Sequence, residues 1–181
     1  MKKFELTNEF VTNMFGTKLF RIRALVEFGD VEAGELGGYV EKESNLGHDD
    51  NAWVYGDAQV SGNARVCGNA WVYGNAWVYG NAQVSGDARV CGDARVCGNG
   101  DYAYAHGFGS VNRTTTFFRL KDGGVGVRCG CFYGTLAQFR DKIRETHGET
   151  KKAQEYLMLA DLMELRFEED ENEVGNRKYV E

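Results

Sequence analysis

The chain has no proline and only three histidines in 181 residues. Average usage would give about nine prolines in this length, so turns must be set by other residues. Three histidines leave a small stock of general bases. No apolar run is long enough to span a bilayer, and the start, MKKFELTNEF, lacks the apolar core of a secretion signal. Both absences point to a cytoplasmic protein with no membrane partner. Lys and Arg number 21 against 27 Asp and Glu, a net charge of −6, which argues against a general nucleic-acid binder because phosphate contacts need a basic surface. The five cysteines are an odd number without a signal peptide, the usage of a reducing compartment.

What the chain has is glycine, 24 residues of it, and a period. From Asn51 to Gly98 one six-residue unit repeats eight times without a gap: NAWVYG, DAQVSG, NARVCG, NAWVYG, NAWVYG, NAQVSG, DARVCG, DARVCG. A fixed short period is the mark of a solenoid. Valine recurs from Val54 to Val96 and alanine two places earlier, from Ala52 to Ala94. Spacing of two places both on one face of a short strand, so they point inward. Gly followed by Asn or Asp accepts positive φ at a tight corner. Each hexad is therefore one strand and one corner, and the abundant glycine is structural.

These residues resemble the left-handed parallel β-helix superfamily of hexapeptide-repeat proteins. The resemblance implies three hexads per coil, with residues i and i+18 stacked about 4.8 Å apart, and a homotrimer. Val40 and Leu46 extend the beat upstream, across a two-residue insertion at His48–Asp50; Tyr102 and Phe108 extend it downstream as worn hexads. On the i+18 map one outer face carries Trp53, Trp71 and Arg89 beside Tyr55, Tyr73 and Cys91. The second carries Gln59, Trp77 and Arg95 beside Ser61, Tyr79 and Cys97. The third, with Arg65, Gln83 and Asp101, is polar.

Around the repeat the expected fold is mainly β, with an N-terminal β cap and a C-terminal β-hairpin plus two α-helices. The cap and lead-in occupy residues 1–46, the β-helix 47–110, the hairpin and two-helix unit 111–168, and an acidic, frayed tail 169–181. Phe20, Ile22 and Ala24 alternate with Arg21 and Arg23 as in a half-buried strand. TTTFFRL and VGVRCGC flank KDGG, an Asp-Gly turn. Thr135 with Gln138 forms a capping box ahead of one helix. A second helix runs from near Thr150 to about Phe167, so broadly apolar that it needs cover on two sides. GDVEAGELGGYVE (Gly29–Glu41), the repeat, GCFYGTLAQF (Gly130–Phe139) and the Thr146–Gly148 sequence THG are together similar to hexapeptide-repeat proteins carried by prophages, which are labelled transferases by analogy.

Acyltransferases of the superfamily use a histidine as general base between subunits, with acyl-CoA as donor. Here no histidine stands within the regular coils: His48 lies in the insertion, His106 where the repeat wears out, His147 at a helix end. His48 and then His106 are the candidate bases, but the sequence favours a non-catalytic protein that takes no cofactor. Cys129 and Cys131 share a strand face with no second cysteine pair to complete a zinc site, so no metal is expected. The aromatic faces are the strongest non-structural feature. They read first as a subunit interface. Second, they read as a ligand site in which Trp53, Trp71, Trp77, Tyr55, Tyr73 and Tyr79 stack a ring while Arg89 and Arg95 hold an anion. The expected function is a trimeric binding or scaffolding protein that takes a host protein or a small anionic, nucleotide-like ligand. Acyl transfer is the alternative, and an acidic solenoid acting as a decoy the third.

Overall fold

The hexads form strands of only two residues because two is all the pattern supplies between corners. In a computed structural model that describes residues 1–109 and 113–168, three longer strands come first: β1 (Phe4–Thr12), β2 (Lys18–Ala24) and β3 (Leu36–Val40). The hexad strands follow as β4 (Trp53–Val54), β5 (Gln59–Val60), β6 (Arg65–Val66), β7 (Trp71–Val72), β8 (Trp77–Val78), β9 (Gln83–Val84), β10 (Arg89–Val90) and β11 (Arg95–Val96). Every repeat valine and alanine from Ala52 to Val96 is buried. They fill the core of the solenoid, with Leu46 in a valine's place at its start.

The strands stack in parallel with a step of 18. Trp53 pairs with Trp71 and Trp71 with Arg89 on one face; Gln59, Trp77 and Arg95 align on the second; Arg65 and Gln83 align on the third. The result is a β-solenoid of about three turns. Backbone bonds tie successive turns, such as Tyr55 N–H to Val72 O at 2.8 Å and Gln59 N–H to Ala76 O at 2.9 Å. Side-chain ladders tie the corners: Asn51 donates to Asn69 at 3.2 Å and Asn69 to Asp87 at 3.0 Å, while Asn75 donates to Asp93 at 3.3 Å. A carboxylate can only accept, which is why an aspartate ends each of these ladders. The insertion also shows in the register: Val40 pairs with Val60 and Leu46 with Val66, twenty residues apart, against eighteen from Val54 to Val72.

Both ends of the solenoid are plugged. At the first, β1 and β2 form an antiparallel hairpin, and β2 pairs with β3, which opens the second face. Phe4 and Phe28 pack edge-on against Trp53 at 6.2 and 5.3 Å between ring centres. Trp53 is fully buried, so the expectation that it lies on an outer surface is overturned. The Lys3 ammonium, donating to Asp50 O at 2.6 Å and Ala52 O at 2.8 Å, ties the hairpin to the insertion.

At the other end the hexad reading of Tyr102 and Phe108 also gives way. Strand β12 (Tyr102–Phe108) leaves the solenoid for a four-stranded antiparallel sheet with β13 (Arg113–Arg119), β14 (Val125–Cys129) and β15 (Phe132–Thr135), in the order β12-β13-β14-β15. The expected hairpin is the middle pair of that sheet. Gly98 marks the change: the corner glycines from Gly56 to Gly92 have φ between 59° and 71°, whereas Gly98 is extended at φ −146°. Asp101 then accepts from the N–H groups of Cys97 and Gly98 at 2.9 and 3.0 Å, closing the last coil.

Strand β13 serves two cores because its successive side chains face opposite ways. Phe118 packs with the solenoid core and Phe117 with the helices α1 (Leu136–His147) and α2 (Lys151–Phe167). Thr135 and Thr150 cap the two helices, Thr135 in the expected box with Gln138. Helix α2 buries Ala153, Tyr156, Ala160, Met163 and Phe167, while Met158, Leu162 and Leu165 stay exposed. The acidic tail from residue 169 lies outside the described residues.

The corners make a controlled prediction. At Gly74, φ is +71° and an added Cβ would lie 2.9 Å from the Gly92 nitrogen; at Gly98 φ is extended and nothing lies within 4 Å. Gly74→Ala should destabilise by at least about 1–2 kcal/mol, the left-handed penalty alone, and Gly98→Ala by less than about 0.5 kcal/mol. Urea unfolding measures both, and equal losses would refute this account of the corners.

Candidate functional site

The first face becomes a cleft because the two caps wall it. Trp71 and Arg89 come from β7 and β10, Tyr55 and Tyr73 from the residues just after β4 and β7. Asp30, between β2 and β3, and Arg128, on β14, complete a space of about 450 Å³. Arg89 lies over the Trp71 ring at 4.5 Å, as the i+18 map places it, and Tyr55 meets Trp71 edge-on at 5.4 Å. Arg128 approaches the Tyr73 ring at 5.9 Å.

The electrostatics are unbalanced toward the cationic. Among the described residues no ion pair uses Arg89 or Arg128. Arg128 makes one long bond, Nη1 to Cys131 O at 3.5 Å, and its Nε is buried without a hydrogen-bond partner. A buried donor left unmade is costly, and the rest of the guanidinium makes only that one long bond. Burial pushes the Tyr55 phenol up to about 12, with Glu35 and Asp30 adding to the rise and Arg89 opposing it. Burial and then the Cys91 thiol push Tyr73 up as well, and burial raises Cys91 in turn. These phenols stay neutral, so apart from the Asp30 carboxylate the cleft is lined by rings and guanidiniums.

The other candidate residues lie elsewhere. Trp53 is in the core. Trp77, Tyr79 and Arg95 are on the second face, with Arg95 over Trp77 at 4.1 Å. That guanidinium is committed to carbonyls, donating from Nη1 to Asn75 O at 2.9 Å and Ala94 O at 2.8 Å. Tyr79 lies 6.4 Å from Phe15 of the first hairpin turn. The sequence reading thus spreads over two faces what the fold divides into a cleft and an apolar wall.

The histidines follow the same logic. His48 stacks on Phe4 at 4.5 Å and accepts the Lys3 N–H on Nδ1 at 3.2 Å, which makes it part of the plug. His147 stacks on Tyr156 at 5.9 Å. His106 is exposed on β12, its Nδ1 2.9 Å from Thr114 Oγ1. Among the described residues no three of His, Cys, Asp and Glu come together as a metal site. Arg128 and Asp30 were missed in sequence because an arginine in VGVRCGC and an aspartate in a loop carry no period; only the packing of the caps brings them to the face.

Comparison with known families gives one match. A model described as a YdcK beta-solenoid repeat fits residues 58–74, 64–80, 70–86 and 82–98. The starts of these windows are offset by six or twelve residues, whole hexads, so the match and the stacking describe one repeat. The chain thus carries a β-solenoid repeat consistent with the β-helix repeat superfamily. Comparison with curated proteins gives no match.

Two outcomes test the site's description. Tyr55 is neutral in the fold up to about pH 12, whereas an unfolded tyrosine ionises near pH 10. Its contribution to stability is whole below about pH 10 and lost as pH rises toward 12, so Tyr55→Phe should blunt the alkaline fall in the urea midpoint. Trp53→Ala should cost about 3–5 kcal/mol as a core truncation, with acrylamide quenching of wild type showing one tryptophan shielded. A Trp53→Ala protein as stable as wild type would return Trp53 to the surface.

Proposed function

We propose that the chain is a binding protein whose cleft on the first face takes a small, planar, anionic ligand of the nucleotide-like class. The observation that supports it is the pair of guanidiniums, Arg89 and Arg128, without carboxylate partners among the described residues, facing Trp71, Tyr55 and Tyr73 on a protein of net charge −6. Arginines on an acidic surface are ordinarily neutralised by their neighbours, and two left unpaired beside exposed ring edges suit an anion with a π-face. Binding is favoured over acyl transfer because His48 is engaged in the end plug and no histidine lines the cleft, whose phenols are held neutral. The prophage-like flanks fit a protein that sequesters a host small molecule.

In this reading copies of the chain meet through the second face. Phe10, Met14 and Phe15 are exposed on the first hairpin, and Phe15 lies 6.4 Å from Tyr79, two residues after Trp77 on the second face. Apolar side chains grouped on one face are a feature of subunit interfaces, and a closed trimer would bury them.

Native mass spectrometry of protein gently released from cells tests both statements. The expected species is a trimer with a discrete added mass per cleft, and Arg128→Ala should lose that mass, its affinity falling roughly tenfold or more as a charged hydrogen bond is removed. A mass retained equally by Arg128→Ala and Trp71→Ala would place the ligand elsewhere. A monomer would leave the second face as open surface and remove the assembly from the proposal.

A further inference from the structure

Arg89 lines two clefts. Besides the aromatic one, it borders a space of about 290 Å³ with Asp87, His106, Arg113, Thr114 and Gly130. The C-terminal sheet builds this second space: β12 delivers His106, the start of β13 delivers Arg113 and Thr114, and Thr116 Oγ1 of β13 accepts the Arg89 N–H at 2.9 Å, holding that sheet against the solenoid. Gly130 has φ +58°, and a Cβ there would come 2.1 Å from Arg113 Nη1, so the lack of a side chain is what lets the guanidinium lie across the loop. Among the described residues no ion pair uses Arg113 or Arg89. The one carboxylate lining it, Asp87, accepts from Asn69 at 3.0 Å through Oδ1 and keeps its charge, which leaves two guanidiniums against one carboxylate.

We propose that this second cleft is a phosphate subsite joined through Arg89 to the aromatic cleft, so that the bound molecule is a nucleoside monophosphate or a compound of that plan. The inference rests on the binding reading above and names the ligand's second half. The donor set argues for phosphate over carboxylate. A single guanidinium fork satisfies the two oxygens of a carboxylate, whereas Arg113 and Arg89 together with the bonded Thr114–His106 pair, 2.9 Å apart, suit the three terminal oxygens of a phosphate monoester. Arg89, stacked on Trp71 and shared by both spaces, is the hinge between ring and phosphate.

Isothermal titration of the full chain with AMP, adenosine and inorganic phosphate tests this, using wild type, Arg113→Gln and Arg128→Ala. Arg113 is exposed, so the variant should fold, and circular dichroism checks that it does. AMP should bind at least tenfold more tightly than adenosine; Arg113→Gln should erase most of that advantage and leave adenosine unchanged. AMP binding no tighter than adenosine, or an advantage that survives Arg113→Gln, overturns the subsite while adenosine binding lost in Arg128→Ala keeps the aromatic cleft. If neither AMP nor adenosine binds, the nucleotide assignment is overturned, and the cleft itself is judged by the mass retained in native spectrometry.

Discussion

Everything in this molecule depends on the vertical stacking of valine and alanine at a step of 18. Parallel hydrogen bonds hold successive coils one strand spacing apart, so any outward residue is fixed directly above its i+18 counterpart. Function can then be composed as columns: the Trp71–Arg89 stack exists because β7 and β10 are registered neighbours, not because the two side chains sought each other. The same rule makes the Asn-to-Asp ladders, in which donors run along the corner until an aspartate that can only accept ends the run.

A solenoid of about three turns has two exposed ends for very little side wall, and what covers the ends shapes the faces between them. Unpaired strand edges must be covered, and the covers are not neutral. The N-terminal hairpin takes Trp53 and His48 out of play to make its plug. The loop after β2 brings Asp30 to the first face, and the C-terminal sheet brings Arg128, Arg113 and His106. Two structural obligations thus convert a bare aromatic column into a walled cleft with a neighbour, the shared element being Arg89.

The repeat, its register and its corners were legible because they are periodic, and periodicity survives translation into structure unchanged. So was the two-residue insertion, since Val40 and Leu46 keep the beat on the far side of it. Helices α1 and α2 were legible through their threonine caps and apolar spacing. The end of the solenoid was not: Gly98-Asn99 reads like the other corners, and only its extended backbone separates it from them. Nor was the four-stranded sheet, because Tyr102 and Phe108 happen to keep the six-residue beat while their partners lie in β13.

By itself the sequence determined a solenoid of strands and corners, because a fixed period with small inward residues permits few other packings; the three faces and shared columns followed from its resemblance to hexapeptide-repeat proteins. Tertiary structure alone decided which columns stay open. Trp53 and Trp71 are equivalent in their hexads, and only the docking of Phe4 and Phe28 buries one and leaves the other in the cleft. Likewise Arg89 and Arg95 occupy equivalent slots in hexads of identical sequence. Arg89 lines both clefts and the Arg95 guanidinium is tied to backbone carbonyls, because it is long-range packing against the caps, which no local pattern encodes, that sets each column's surroundings.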